Sequence, residues 1–334
     1  MRKPAFLLAA LLLLGAAAPP PVREIAPGRV PVQGAGMPVY LSQDWQAPLP
    51  GVTRAVLVMH GLNRDADTYF AGLRQAAQRA GAGAESLLIA PQILAEEDIA
   101  AHRPPASLLH WDHDAWAGGL PARGPTPASA FDGLDAILAR LADRRRFPAL
   151  AEVVMAGHSA GGQVVHRYAV AGRGDAALTA VGVRTRYVIA NPSSYVYLNA
   201  ERPLPGGFAV PQPGACPGYD DWRYGLAANL PPYATQAPAT LRERYLTRDV
   251  TYLLGTRDTN PDHRVLDRSC AAELEGPHRY ARGHSYMEHL VRLHAAMPSQ
   301  RLWDVPGIGH DGPGMINSPC GLAALFGAGA CKID

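Results

Sequence analysis

At 334 residues the chain is long enough to bury a sizeable core, as one large α/β domain or two small ones. Its 31 Lys and Arg against 29 Asp and Glu leave a formal charge of +2, and the basic residues are scattered, which argues against nucleic acid or an anionic membrane as partner. The four cysteines show no Cys-x-x-Cys spacing and so do not point to a zinc site.

The chain opens on a targeting pattern over residues 1–18. Arg2 and Lys3 give a positive start, Ala5 to Leu14 an apolar stretch, and Ala16-Ala17-Ala18 a small-residue cleavage site. The apolar stretch is too short to span a membrane and no later one is long enough, so a secreted or periplasmic product is expected. No cysteine marks a lipid anchor at the cleavage site. Residues 19–35 are rich in proline and glycine and read as a mobile or loosely docked leader; Met37 to Ser42 reads as an edge strand. The main domain is expected over 50–334.

Ala55 to Met59 and Leu87 to Ala90 are continuous apolar runs of the kind buried on both faces of a parallel sheet, and Asp67 to Arg79 between them has helical spacing. Residues 92–127 lack periodicity and read as a long insertion. Phe131 to Leu141 is an amphipathic helix, and the run Arg144-Arg145-Arg146 beyond it reads as a solvated helix end, where cations suit the dipole. Further strands are predicted at Glu152 to Ala156, Arg186 to Ala190, Val250 to Leu254 and Leu302 to Val305, with a second insertion at 191–239 and a helix over Arg279 to Ala296. This alternation predicts an α/β fold with a mostly parallel central sheet, helices on both faces and long loops at one edge.

The strand at Glu152 runs into Gly157-His158-Ser159-Ala160-Gly161-Gly162, with a helical stretch from Gln163. A Gly-x-Ser-x-Gly turn between strand and helix presents the serine hydroxyl at the carboxyl edge of the sheet, over a helix amino end. A serine nucleophile needs a base, and the base needs a carboxylate to hold its useful tautomer. Asp258 follows one later strand, with Asp262 and Asp267 as neighbours, and His310 follows the last strand in a Gly-rich loop. His158, inside the turn, is expected to pack behind the serine rather than to serve as base. Donors for a developing oxyanion are expected at the N–H of Ala160 and of Leu62, with Asn63 next to it.

Strand-His60-Gly61-x, Gly157-His158-Ser159-Ala160-Gly161-Gly162, Gly255-x-x-Asp258 and Pro306-Gly307-x-Gly309-His310-Asp311, in this order, resemble the α/β-hydrolase superfamily over about residues 50–326. Segments Asn191 to Tyr195 and Gly218 to Gly225 are similar to those of exported microbial members. The resemblance implies a serine hydrolase acting on carboxylic esters through an acyl-enzyme, without cofactor or metal: Ser159 as nucleophile, Asp258 as orienting acid, His310 as base, Leu62 and Ala160 as oxyanion donors. Gly61 is followed by a single apolar residue, which departs from multi-glycine lipases. An acyltransferase, an amidase or a peptidase would share the triad, and a binding module would share the fold. A small-molecule or polymeric ester is the expected partner.

Trp111, Trp116, Tyr195 and Trp222, in the two insertions, are candidate substrate contacts, along with Tyr197, Tyr219 and Tyr224; the same rings are able instead to pack the loops onto the domain. His110 to Asp114 is rich in histidine and aspartate but has no defined ligand spacing. An even cysteine count in an exported chain suggests disulfides. Of three possible connectivities, Cys216 with Cys270 and Cys320 with Cys331 is favoured.

Overall fold

The structure is a computed structural model and describes residues 20–294 and 299–331. The expected targeting segment lies outside the described residues. In chain order the first half contains β1 (Gly28–Val32), β2 (Ala35–Leu41), β3 (Arg54–Met59), α1 (Ala66–Arg79), β4 (Ser86–Pro91), α2 (Glu96–His102), α3 (Ala130–Leu141), β5 (Glu152–His158) and α4 (Ala160–Ala171). The second half adds α5 (Asp175–Ala180), β6 (Arg184–Ala190), β7 (Arg202–Leu204), β8 (Gly207–Ala209), α6 (Pro238–Thr247), β9 (Asp249–Gly255), α7 (Cys270–Glu273), α8 (Arg279–Leu293), β10 (Gln300–Val305), α9 (Gly312–Asn317) and α10 (Pro319–Phe326).

Eight strands form one sheet in the order β1-β2-β4-β3-β5-β6-β9-β10. From β4 to β10 neighbours run parallel, and the β1–β2 hairpin adds antiparallel to β4. The apolar runs account for this layout. Along β3, Ala55, Leu57 and Met59 join one core with Phe131, Leu134 and Val164, while Val56 and Val58 join the other with Leu73, Ala76 and Leu325. A period of two thus feeds a core on each face, and covering both faces needs helices on both. Burial of a side chain such as Leu57 contributes about 1.5–3 kcal/mol. At the amino end of β5, Glu152 accepts from Arg54 (3.0 Å), Arg184 (2.5 Å) and Arg186 (2.8 Å), which ties β3, β5 and β6 in register. Burial alone would raise the Glu152 carboxyl; the guanidinium groups, Arg186 foremost, outweigh it and bring the pKa to about 2.

Four segments differ from the sequence reading. Residues 20–35 are not a loose leader: Val30 and Val32 alternate into the core, and Gln33-Gly34, both at positive φ, turn the chain into β2. The edge strand is therefore β1, and β2 lies one place inside it. The first insertion contains α2, a 3₁₀ turn at Ala115–Gly118 and bridges such as Ala95 to Trp111, and the second contains the β7–β8 hairpin. The arginine run is not simply solvated, since Arg144 donates to the carbonyls of Leu150 (2.6 Å) and Val181. Cys216 pairs with Cys270 (Cα–Cα 5.8 Å) and Cys320 with Cys331 (Cα–Cα 4.2 Å), fastening the second insertion to α7 and the C-terminal segment to itself.

Candidate active site

Between β5 and α4 the chain reverses within one residue. Ser159 sits at φ 58°, in the left-handed region that a side chain enters only when its surroundings impose it. Here close approach imposes it. A Cβ on Gly157 would lie 2.2 Å from the Gly161 carbonyl oxygen, and one on Gly161 would lie 2.3 Å from that of Met59. The Ser159 N–H donates to the Ala190 carbonyl at 3.0 Å, which pins the turn to the end of β6.

The loops after β9 and β10 bring the other predicted partners to the same edge. His310 Nδ1 lies 2.7 Å from Asp258 Oδ2, and its Nε2 lies 2.9 Å from Ser159 Oγ. A carboxylate only accepts, so Nδ1 carries the proton and Nε2 is left to accept from the hydroxyl. These two loops are sewn together by backbone bonds from Thr256 N to Val305 O (3.1 Å) and Arg257 N to Ile308 O (2.9 Å). Asp262 and Asp267 go elsewhere: Asp262 pairs with Arg268 (3.1 Å), and Asp267 accepts from the Tyr224 hydroxyl (2.8 Å).

Sequence reading missed several supports. Asn191, at the end of β6, accepts from Gly255 N (2.9 Å) and donates to Gly309 O (3.1 Å), linking both loops to the central sheet. Arg279, at the start of α8, places its buried guanidinium 3.6 Å from Asp258 Oδ1 and donates to the Val265 carbonyl (2.7 Å). Its own pKa is lowered to about 10 by burial, partly offset by Asp258. The turn at a strand end was a local signal for Asn191; Arg279 carried none, being one arginine among many.

His158 packs behind the serine, with Nδ1 2.9 Å from the Tyr69 hydroxyl and its ring centroid 4.6 Å from that of His310. Burial, then the neighbouring His310 and Arg279, push its pKa well below the ordinary histidine value. A neutral ring there adds no positive charge beside His310. On the outer side His263 stands edge-on to His310 at 4.9 Å.

Ala160 is the first residue of α4, so its N–H has no carbonyl of its own helix to bond. Leu62 follows Gly61, where a Cβ would come 3.8 Å from Ser159 Cβ, so this loop passes directly beside the serine. Both N–H groups are without a hydrogen-bond acceptor among the described residues. Leu62, Asn63, Ser159 and Ala160 border an open groove of about 990 Å³.

The four candidate aromatic contacts lie elsewhere. Trp111, Trp116 and Tyr195 are fully buried, and Trp222 is half-buried with Nε1 donating to the Gly118 carbonyl (2.7 Å). None of them borders the groove; their ring area packs the insertions onto the domain. Tyr197 is buried too, with the Arg202 guanidinium over its ring. The groove walls carry Asp65, Asp67, Asp114, Arg223 and Arg264 instead. Of the His110 to Asp114 stretch, Asp112 pairs with Arg123 (2.6 Å) and Asp114 with Arg223 (2.8 Å).

No protein-family model matches the sequence, and no curated protein matches it. Among solved structures, LpqC, a poly(3-hydroxybutyrate) depolymerase from Bordetella parapertussis, is similar at 22% identity and a TM-score of 0.60, over 91% of this chain and 92% of that one. Poly(aspartic acid) hydrolase-1 from Sphingomonas sp. KT-1 is similar at 22% identity and a TM-score of 0.58, over 87% of this chain and 96% of that one. With a mostly parallel eight-stranded sheet, helices on both faces, a strand–serine–helix turn after β5 and solved structures that match it over nearly their full length, the chain has the α/β-hydrolase fold.

Proposed function

We propose that this protein is an exported serine hydrolase that cleaves carboxylic esters through an acyl-enzyme. The observation that carries the reading is the continuous line from Ser159 Oγ through His310 to the Asp258 carboxylate, with Ser159 bordering an open groove. In this reading Ser159 Oγ attacks the ester carbonyl carbon as its proton passes to His310 Nε2. Asp258 stabilises the imidazolium through Nδ1–H, and the N–H groups of Leu62 and Ala160 receive the negative oxygen. Collapse of the tetrahedral intermediate breaks the bond to the alcohol, which leaves with the proton from His310. Water then enters, gives a proton to His310 and releases the acid from Ser159.

The groove supports a narrower version in which the ester is larger than a short-chain one and carries polar groups. Its volume of about 990 Å³ exceeds what a short acyl chain fills, and its walls mix apolar residues such as Val22, Leu62 and Leu266 with Asp65, Asp67, Asp114, Arg223 and Arg264, without Trp, Tyr or Phe. The two fold relatives are named for polymers, poly(3-hydroxybutyrate) and poly(aspartic acid), which favours polymer or oligomer substrates here as well. Export is supported by the targeting pattern at residues 1–18 and by the two disulfides. No helix among the described residues is long and apolar enough to cross a membrane.

The test is hydrolysis of a short-to-long p-nitrophenyl ester series, together with hydroxyalkanoate oligomers, by wild type and Ser159→Ala. Turnover lost in the variant supports the reading, and oligomers favoured over simple esters support the narrower version. A folded wild type without turnover on either sinks it.

A further inference from the structure

Arg64 has no part in the reaction just described, yet it is fully buried in the loop that carries Leu62. Its N–H bonds back to the Gly61 carbonyl at 3.1 Å, closing a four-residue turn in which Leu62 and Asn63 are the two central residues. The near corner is held by His60, whose Nε2 accepts from Ile93 N at 2.9 Å. Arg64 is the far corner, and it sits at φ 60°, in the left-handed region where a non-glycine residue stays only if its surroundings hold it.

What holds it is Asp98 of α2. Arg64 Nε donates to Asp98 Oδ2 (2.7 Å) and Nη2 to Oδ1 (3.0 Å), a two-bond pair with both side chains buried. Asp98 also accepts from Ala95 N (2.7 Å) and Val22 N (2.8 Å), and Arg64 Nη2 reaches the Pro20 carbonyl (3.1 Å). His102, at the end of α2, bonds through Nε2 to the Val22 carbonyl at 2.6 Å. Burial alone would raise the Asp98 carboxyl; Arg64 and the N–H groups of Ala95 and Val22 outweigh it and hold it below the usual carboxylate range. Pro20, Pro21 and Val22 then form part of the groove wall beside Leu62.

We propose that the buried Arg64–Asp98 ion pair, closed over by residues 20–22, fixes the turn that aims the Leu62 N–H at the oxyanion position, so that Arg64 and Asp98 are positioning residues for the ester reaction. The inference rests on the function proposed above. It assigns the first insertion and the strap at residues 20–22 a role in rate as well as in groove shape. A pair that merely docks α2 would affect how much protein folds, whereas a pair that aims an oxyanion donor affects how strongly turnover depends on the carbonyl oxygen.

The experiment compares an ester with its thionoester, whose sulfur is a poor hydrogen-bond acceptor and gains little from an oxyanion hole. Wild type, Asp98→Asn and Val22→Pro are measured on both substrates, with the melting transition followed in parallel. Asp98→Asn is expected to lower kcat on the ester about tenfold or more, with KM changed less than about threefold and the ester-to-thionoester rate ratio falling by a similar factor. Val22→Pro keeps the ion pair, removes one donor to Asp98 and is expected to move the ratio about twofold to fivefold the same way. If Asp98→Asn is folded and loses rate equally on both substrates, the pair only docks α2 and the proposal is overturned. Should Asp98→Asn fail to fold, Val22→Pro decides, and an unchanged ratio in that folded variant overturns the proposal. Absence of Ser159-dependent ester turnover in wild type overturns the function itself, and the positioning role with it, before any variant at 98 or 22 is considered.

Discussion

Helix α4 serves two polar networks built on a histidine, and they differ in what surrounds them. At its amino end His310 lies between a carboxylate and the Ser159 hydroxyl, beside an open groove. Two turns further along, His166 is fully buried; its Nε2 accepts from Val196 N (2.9 Å), and its Nδ1 faces the Tyr245 hydroxyl (3.2 Å). The rings of Tyr195 and Tyr286 stand edge-on to it at 5.4 and 5.1 Å. Both imidazoles are oriented from two sides. Only the first has a negative partner to stabilise an imidazolium, and only its serine borders the groove. Burial pushes the His166 pKa well below the ordinary value, and nearby Arg167 adds to it. Orientation is therefore common to both networks, and charge with access sets the first apart from the second.

The largest expected effect lies at the open network. Ser159→Ala should lower kcat on the best ester on the order of a millionfold, with the melting temperature close to wild type. A variant that kept more than a few per cent of the activity would remove Ser159 from the chemistry. Asp258→Asn comes next, with a loss on the order of ten-thousandfold, because an amide facing Nδ1 no longer enforces the tautomer that leaves Nε2 free to accept. Steady-state rates of purified protein check both.

At the sealed network the effect should be on stability. His166→Phe leaves the Val196 N–H without its buried acceptor and should cost about 1–3 kcal/mol in urea unfolding at pH 7.5, with kcat of the folded protein within about twofold of wild type. A large loss of kcat in folded protein would break the comparison. The smallest effect is in pH dependence. His166 is neutral when folded because its pKa is depressed, whereas the unfolded chain takes up a proton there below pH about 6.5. Its contribution is therefore fully present above that pH and is lost as pH falls, by about 1.4 kcal/mol per unit. Unfolding series at pH 7.5, 6.0 and 5.0 should show a slope for His166→Phe that is flatter than wild type by this amount.

Much of the architecture and the main candidates were legible locally. Ala55 to Met59 and Val153 to Ala156 are short, uniformly apolar runs of the kind buried as central strands, and glycines at 157 and 161 around a serine allow a turn that few other sequences tolerate. The order serine, aspartate, histidine, each placed after a strand, was enough to nominate Ser159, Asp258 and His310. In a parallel sheet all strand ends of one kind share an edge, so position along the chain already implies nearness there.

Tertiary structure decided what pairing and burial determine. Whether Trp111, Trp116 and Tyr195 face a substrate or a core depends on which neighbours reach them, and composition is the same either way. The docking of residues 20–26 rests on partners far along the chain, Asp98 and Gln92, whose N–H and carbonyl matches leave no periodic trace. Arg64 and Arg279 were invisible for the same reason. An arginine in a loop or at a helix start reads as solvated until the fold brings a carboxylate or a carbonyl to it, and burial then turns the same side chain into a fixed support. Sequence alone determined the central parallel strands, the serine turn and the order of the candidates, because these follow from periodicity and local sterics. Only the tertiary structure decided the groove walls and the supports behind them, because those depend on contacts between residues distant in the chain.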